Sequence, residues 1–264
     1  MAKQRKPRIA VWKFASCDGC QLSILDCETD LLEIASMVDF VYFREATRAT
    51  ARGPYDVSLV EGSITTPQDL VHIKDVRKKS RYLVALGACA TAGGIQALRN
   101  NHNIEEYISS VYAHPEYIDT MRRSSPISDY VPVDLELRGC PVNKAQLVNT
   151  LSELVHGRLP VFPQYSVCVE CKQHGQVCVA VTRGERCLGP VTCAGCGAIC
   201  PSFGRACYGC FGPKETPNTS SLSRWWMQNN LATEADVYRL FRTFNTAAPD
   251  FDREAKQHGE QDQE

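Results

Sequence analysis

Apolar residues along this chain fall first into short runs with strand character, separated by stretches that repeat at helical spacing. Ile9-Ala10-Val11-Trp12-Lys13-Phe14 sits within a run over 8–14 that reads as a buried strand. The loop Ala15–Cys20 follows, and Leu22, Leu25, Leu31, Leu32 and Ile34 recur as on one helix face over 21–36. Val38, Phe40, Val41 and Phe43 predict a strand at 38–43, and beyond the Gly53-Pro54 turn a third is predicted at 56–61. Pro67 suits the first turn of a helix over 67–79, whose last turn holds Arg77-Lys78-Lys79, opposite the negative end of the helix dipole. A fourth strand at 82–86 runs into Gly87-Ala88-Cys89. After a polar excursion over 100–130, a fifth at 131–137 ends at Gly139-Cys140-Pro141. A helix over 143–156, stopped by Gly157, closes the pattern.

Strands alternating with helices at these lengths imply an α/β fold with a doubly wound parallel sheet of flavodoxin-like type. Such sheets bind ligands beyond the carboxyl ends of their strands, where the winding reverses. Cys17, Cys20, Cys89 and Cys140 all lie just past strands assigned from apolar pattern alone. Beyond Pro160 and Pro163 the periodicity fades, and nine cysteines crowd into residues 164–215. That region is expected to be loop-rich, with little apolar core, and to be organised by bound inorganic groups. Two short helices are predicted at 221–231 and 233–244, with Trp225, Trp226 and Met227 available for a core or a partner. Residues from Arg253 on read as disordered. The expected organisation is a first domain over 1–160, a second over 161–250 and a polar tail over 251–264.

Charge and composition narrow the function. The 264 residues carry a formal net charge of −1 with both signs interspersed, so no nucleic-acid footprint stands out. No run reaches the length of a membrane span. The basic start Lys3-Gln4-Arg5-Lys6-Pro7-Arg8 reads as a solvated tail and lacks the apolar stretch of a signal peptide. Arg122-Arg123 is an internal twin arginine with no apolar segment behind it. A soluble, cytoplasmic protein is expected. In a reducing compartment, closely spaced cysteines argue for metal ligation rather than disulfides.

The cysteines divide into three sets of four. Cys17 and Cys20, joined by Cys89 and Cys140, supply the usual number of thiolates for a cubane iron–sulfur cluster. Gly19 is expected to tighten the Cys17–Cys20 turn, and the glycines at 87, 93, 94 and 139 to keep the backbone close to the sulfurs. Cys168, Cys171, Cys178 and Cys187 form a second set, and Cys196, Cys200, Cys207 and Cys210 a third. Cys27, inside an apparent helix, suits ordinary packing. Cys193 is left over, near enough to Cys196 to exchange with it on spacing alone. Structural zinc remains open for 168–210, as do unrelated buried thiols for the first set. Glu61, after the third strand, is read as either a proton relay or a structural carboxylate, and His174 as a surface residue. No nucleophile elbow, phosphate-binding loop or dinucleotide fingerprint is present.

Three segments of the first domain, Ala15-Ser16-Cys17-Asp18-Gly19-Cys20-Gln21, Gly87 through Gly94 and Arg138-Gly139-Cys140-Pro141, resemble the proximal-cluster motifs of nickel–iron hydrogenase small subunits. Cys187-Leu188-Gly189-Pro190-Val191-Thr192, Cys196-Gly197-Ala198-Ile199-Cys200-Pro201 and Cys207-Tyr208-Gly209-Cys210 resemble the distal and medial motifs, in order over roughly residues 8–215. The likeness is to the cytoplasmic, multisubunit branch of sulfhydrogenase, NAD(P)-linked type. It implies three 4Fe–4S clusters: a proximal one on the first cysteine set, a distal one on the second and a medial one on the third. Cys168 stands where the membrane-bound enzymes often carry histidine. The resemblance further implies a separate nickel–iron large subunit as partner, and flavin- and iron–sulfur-bearing diaphorase subunits that reduce NAD(P)+. The same subunit serving a heterodisulfide reductase or a deazaflavin-linked partner stays open, as does a zinc-organised binding module. A related complex I subunit would be expected to show adjacent cysteines at the first motif and to lack the C-terminal block.

Overall fold

The computed structural model describes residues 5–259, so Lys3 and Gln4 of the basic start lie outside the described residues. The chain divides between Val161 and Phe162 into two compact units.

The first unit is built on β1 (Arg8–Lys13), β2 (Asp39–Phe43), β3 (Tyr55–Glu61), β4 (Ser80–Leu86) and β5 (Leu135–Leu137). They form one sheet in the order β2-β1-β3-β4-β5, every neighbouring pair parallel. The winding reverses between β1 and β3, which is the flavodoxin-like order. Central strands read as continuous apolar runs because helices cover both faces: Ile9, Ala10, Leu59, Val60, Leu83 and Val84 are fully buried. Each large aliphatic among them contributes roughly 1.5–3 kcal/mol by leaving water. The polar atoms that enter this core are paired. Ser80 Oγ donates to Ser58 Oγ at 2.7 Å, and Trp12 Nε1 donates to the same hydroxyl at 3.1 Å.

The predicted elements of this unit follow their local signals with two exceptions, one helix and one strand. For α3 (Pro67–Lys79), Thr66 and Asp69 form a capping box, Pro67 opens the first turn and the three basic residues close the last. The helix expected over 21–36 is broken into α1 (Gly19–Leu25) and α2 (Glu28–Met37), because Glu28 adopts φ 47°. The break rotates the apolar faces. Ile24 and Ile34 are buried, whereas Leu22 and Leu32 are 51% and 72% exposed, and the Leu31 side chain lies outside the described residues. The fifth strand is also shorter than the run that announced it. Pro132 has no N–H for the ladder, and the Asp134 carboxylate takes the Leu83 amide at 2.7 Å. A short helix, α4 (Gly87–Ala92), begins directly at the end of β4, and α5 (Ile104–Val111) and α6 (Lys144–Val155) complete the unit.

The second unit carries more regular structure than its sequence pattern suggests. Short helices α7 (Val167–Gln173), α8 (Val179–Arg183) and α9 (Ile199–Ser202) punctuate the cysteine region. Next come α10 (Thr219–Gln228) and α11 (Glu234–Phe241) at the two predicted places. The polar tail expected over 251–264 is instead occupied by α12 (Pro249–Gly259); residues 260–264 lie outside the described residues. Only Phe251 and Ala255 give α12 an apolar stripe, yet both are buried, and Phe251 stacks edge-on against Phe241 with ring centres 5.2 Å apart. Trp226 is fully buried beside Phe241, while Trp225 stays 38% exposed. The region therefore has an apolar core of its own, made by α10, α11 and α12.

Candidate metal centres

The first cysteine set meets at the carboxyl edge of the sheet. Cys17 follows β1 and Cys20 enters α1; Cys89 lies in the single turn of α4 after β4; Cys140 follows β5. Asp18, not Gly19, is the left-handed residue of the Cys17–Cys20 turn, at φ 66°, and it is held by Lys13 Nζ at 2.5 Å. Gly19 serves by its lack of a side chain, since a Cβ there would stand 3.3 Å from Cys17 Sγ.

Two glycines are needed for conformation and space together. Gly87 has φ 84°, and a Cβ on it would overlap Cys20 Sγ; Gly94 has φ 62°, and its Cβ would reach within 2.5 Å of Cys89 Sγ. The Cys20 and Cys89 sulfurs therefore rest against bare backbone. The thiols also perturb one another. Burial raises Cys20 first, with the charges of Glu61, Cys89 and Cys140 adding. Cys89 is pushed up to about 11 by burial, then by Cys140 and Cys17, and Cys140 rises by burial and then Cys17. These mutual effects bring all four predicted residues into one neighbourhood.

Polar groups around that neighbourhood are only half used. Glu61 is 2% exposed, and its Oε1 accepts the Cys20 amide at 3.0 Å. Burial raises its carboxyl while the Cys20 amide and then the Gln21 side chain and amide pull it down, and Oε2 makes no close hydrogen bond. Gln21 Nε2 and Gln96 Oε1 are likewise buried and unpaired, although Gln96 Nε2 donates to Ala15 O at 3.0 Å. A buried unpaired polar atom costs about 1–3 kcal/mol. Of the three, only Gln21 Nε2 is a donor of the kind a sulfur acceptor takes; the two oxygens are acceptors themselves. Gln96 was not foreseen from sequence; its nearness to Cys89 along the chain was the available signal.

The second set is coherent as well. Burial and the charges of Cys187, Cys171 and Cys178 push Cys168 up to about 11, and Cys171 responds to Cys178 and Cys187. Gly189 provides the bare backbone here, since its Cβ would stand 3.3 Å from Cys187 Sγ and 3.4 Å from Cys168 Sγ. In the third set, burial raises Cys196 first, with Glu170 and then Cys200 adding. Burial also drives Cys207 up, with Cys187 and then Cys210 adding, and Cys187 acts on Cys200, so the second and third sets adjoin. Backbone amides reach the sulfurs: Cys207 N donates to Cys187 Sγ at 3.2 Å and Gly209 N to Cys207 Sγ at 3.5 Å. Among the described residues, no three His, Cys, Asp or Glu side chains gather tightly enough to hold a single metal ion. The two leftover thiols are hydrogen-bonded to backbone: Cys27 Sγ donates to Ser23 O at 3.1 Å and Cys193 Sγ to Pro163 O at 3.0 Å. His174 is exposed at the end of α7.

The family model for the NADH ubiquinone oxidoreductase 20 kDa subunit matches residues 17–154. Sulfhydrogenase 2 subunit delta of Pyrococcus furiosus is 35% identical over 90% of this chain and 98% of its own length. The chain belongs to this family, as a nickel–iron hydrogenase small subunit. The match to the family model stops before the nine C-terminal cysteines, whereas the match to the hydrogenase relative runs through most of the chain. A second relative belongs to the F420-non-reducing hydrogenase vhu of Methanocaldococcus jannaschii. It is 32% identical over 78% of this chain and 81% of its own length. Among solved structures, an NAD+-reducing [NiFe]-hydrogenase in its H2-reduced state contains a chain 32% identical to this small subunit. It superposes with a TM-score of 0.56, over 60% of this chain and 96% of that one. The small subunit is thus part of an oxidoreductase, and among its described residues no helix is long and apolar enough to cross a membrane.

Proposed function

We propose that this small subunit is the electron-transfer subunit of a cytoplasmic nickel–iron hydrogenase and holds three 4Fe–4S clusters. Cys17, Cys20, Cys89 and Cys140 would hold the proximal one. Cys168, Cys171, Cys178 and Cys187 would hold the distal one, and Cys196, Cys200, Cys207 and Cys210 the medial one. When bound, such clusters supply one-electron transfer between a nickel–iron site on a partner large subunit and an external acceptor. The chain's own part is to hold thiolates at fixed places, exclude water behind them and aim amides at sulfur, which tunes reduction potential.

The observation that carries this reading is the convergence of the first four thiols at the sheet's carboxyl edge, with Cys20 and Cys89 set against the bare backbone of Gly87 and Gly94. The donor set fits an iron–sulfur cluster: thiolates only, a backbone cradle without side chains, and amides directed at sulfur. The acceptor proposed is NAD(P)+, reached through flavin- and iron–sulfur-bearing diaphorase subunits. The similarity to a sulfhydrogenase delta subunit and to a chain of an NAD+-reducing hydrogenase supports it.

A second reading keeps the subunit and changes the acceptor, since a subunit of an F420-non-reducing hydrogenase, whose name states no NAD(P), is 32% identical over 78% of this chain. Anaerobic co-purification from the native host, followed by hydrogen-dependent reduction of NAD(P)+, separates the two. Diaphorase subunits and NAD(P)H formation are expected. Hydrogen-dependent reduction of viologen dye without NAD(P)H would move the acceptor to another partner, and the absence of a large subunit would sink the reading.

A further inference from the structure

One carboxylate links the two C-terminal cysteine sets. Glu170 stands between Cys168 and Cys171 on α7, and its carboxylate takes amides of the loop that carries Cys196. Glu170 Oε1 accepts the Gly195 amide at 2.8 Å, and Oε2 accepts the Ala198 amide at 3.2 Å. Cys196 Sγ lies 3.9 Å from the same Oε2. The Ala198 amide faces the Cys196 sulfur as well, so carboxylate and sulfur share one donor.

The loop so gripped is strained. Ala198 is fully buried and sits at φ 51°, a left-handed conformation that crowds its Cβ against the backbone. Such conformations persist only where surrounding structure over-determines them. Two hydrogen bonds to one carboxylate supply that constraint, since bonds to ionised groups are stronger than those between neutral ones. The grip is on the backbone itself, at the two amides that flank Cys196 and Gly197.

We propose that Glu170 is the positioning residue of the third cysteine set: from within the second set's Cys-x2-Cys turn it seats the 195–198 loop and so fixes Cys196. This rests on the cluster reading above for what Cys196 holds, while the seating of the loop does not depend on that reading. The consequence is a coupling between neighbouring centres, in which disturbance of α7 is transmitted to Cys196 through one side chain. The carboxylate also places negative charge beside a single sulfur of the third set, which holds that centre's potential down.

The test uses the anaerobically purified complex carrying E170A, E170Q or, as a control on the same turn, V169A. Three quantities are measured: amide hydrogen exchange across 194–199, iron and acid-labile sulfide per chain, and the potentials of the individual centres by electron paramagnetic resonance titration. E170A is expected to speed exchange at 195 and 198 on the order of tenfold or more. It should also lose about one cluster's iron, roughly four atoms, from the third set alone. E170Q retains the size but offers one acceptor oxygen instead of two. It is expected to keep more iron than E170A and to raise the potential of one centre only, with V169A and wild type alike. Unchanged exchange at 195–198 in E170A would overturn the proposal, as would iron loss spread equally over all centres. A wild-type chain without iron or sulfide would sink the proposed function instead, and the exchange measurement would still decide the role of Glu170.

Discussion

The two units of this small subunit solve the same chemical problem with different materials. In the first, a large cluster packs without any cysteine: Trp12, Val60, Ile64, Leu83 and Ile127 lie between sheet and helices, although Cys20 and Cys27 are buried elsewhere in the unit. In the second, Cys187 and Cys207 are themselves core residues, packed with Val167, Val179, Ala198 and Ala206, and with Cys171 and Cys196 at the edge. The small residues there contribute little buried apolar area. On the proposed reading, a cluster bridging these thiols would contribute to folding directly, as structural metal does in small domains. The α10–α12 helices soften this contrast. Asn245 Nδ2 donates to Gly209 O at 2.7 Å, so an aromatic core anchors the Cys207–Cys210 loop from outside.

The largest effect that would break the comparison comes from removing iron. Anaerobic chelation of the full chain is expected to abolish amide protection across 164–212 while the strands of the first unit keep theirs. Equal loss in both units, read by hydrogen exchange, would show that the sheet also depends on metal. Next in size is Leu59→Ala, at the centre of β3. Truncation of this fully buried side chain should cost about 2–5 kcal/mol of the first unit's stability in denaturant titration. The second and third sets should keep their iron.

Gly87→Ala sharpens the contrast at a single atom. The left-handed backbone costs an alanine about 1–2 kcal/mol, and the new methyl must displace Cys20 Sγ. Loss of the proximal centre's spectroscopic signal is expected, with a smaller drop in melting temperature than for Leu59→Ala. The smallest effect is electrostatic and lies in α11. The Thr233 amide, and then its hydroxyl, hold the Asp236 carboxyl below the usual carboxylate range. A depressed acid stabilises the fold above its unfolded-state value near pH 4 and loses that contribution as pH falls through the lowered one. Amide protection at the start of α11 should therefore fall in acid, and Asp236→Asn should remove that pH dependence.

Much of the first unit was legible because its signals are local and repeated. Strands β1 to β4 are apolar runs, and the four thiols each follow an element that such runs predict. The helix break at Glu28 was hidden because apolar residues continue across it at nearly helical spacing; only their exposure separates Ile24 and Ile34 from Leu22 and Leu32. α12 was hidden for the opposite reason. Two apolar residues in eleven give no visible stripe, and its buried Glu254 is matched by His258 at 3.2 Å, a pairing that composition does not reveal. The cysteine sets themselves could be grouped by spacing and resemblance. Glu170 could not, because its partners are backbone amides 25 and 28 residues away, and amides leave no mark in a sequence.

What the thiols hold decides between a redox chain and a zinc-organised fold, and metal content answers that most directly. Iron, zinc and acid-labile sulfide should be counted per chain on protein purified without oxygen. Three clusters predict about twelve iron and twelve sulfide with no zinc. Zinc without sulfide would contradict the iron–sulfur assignment.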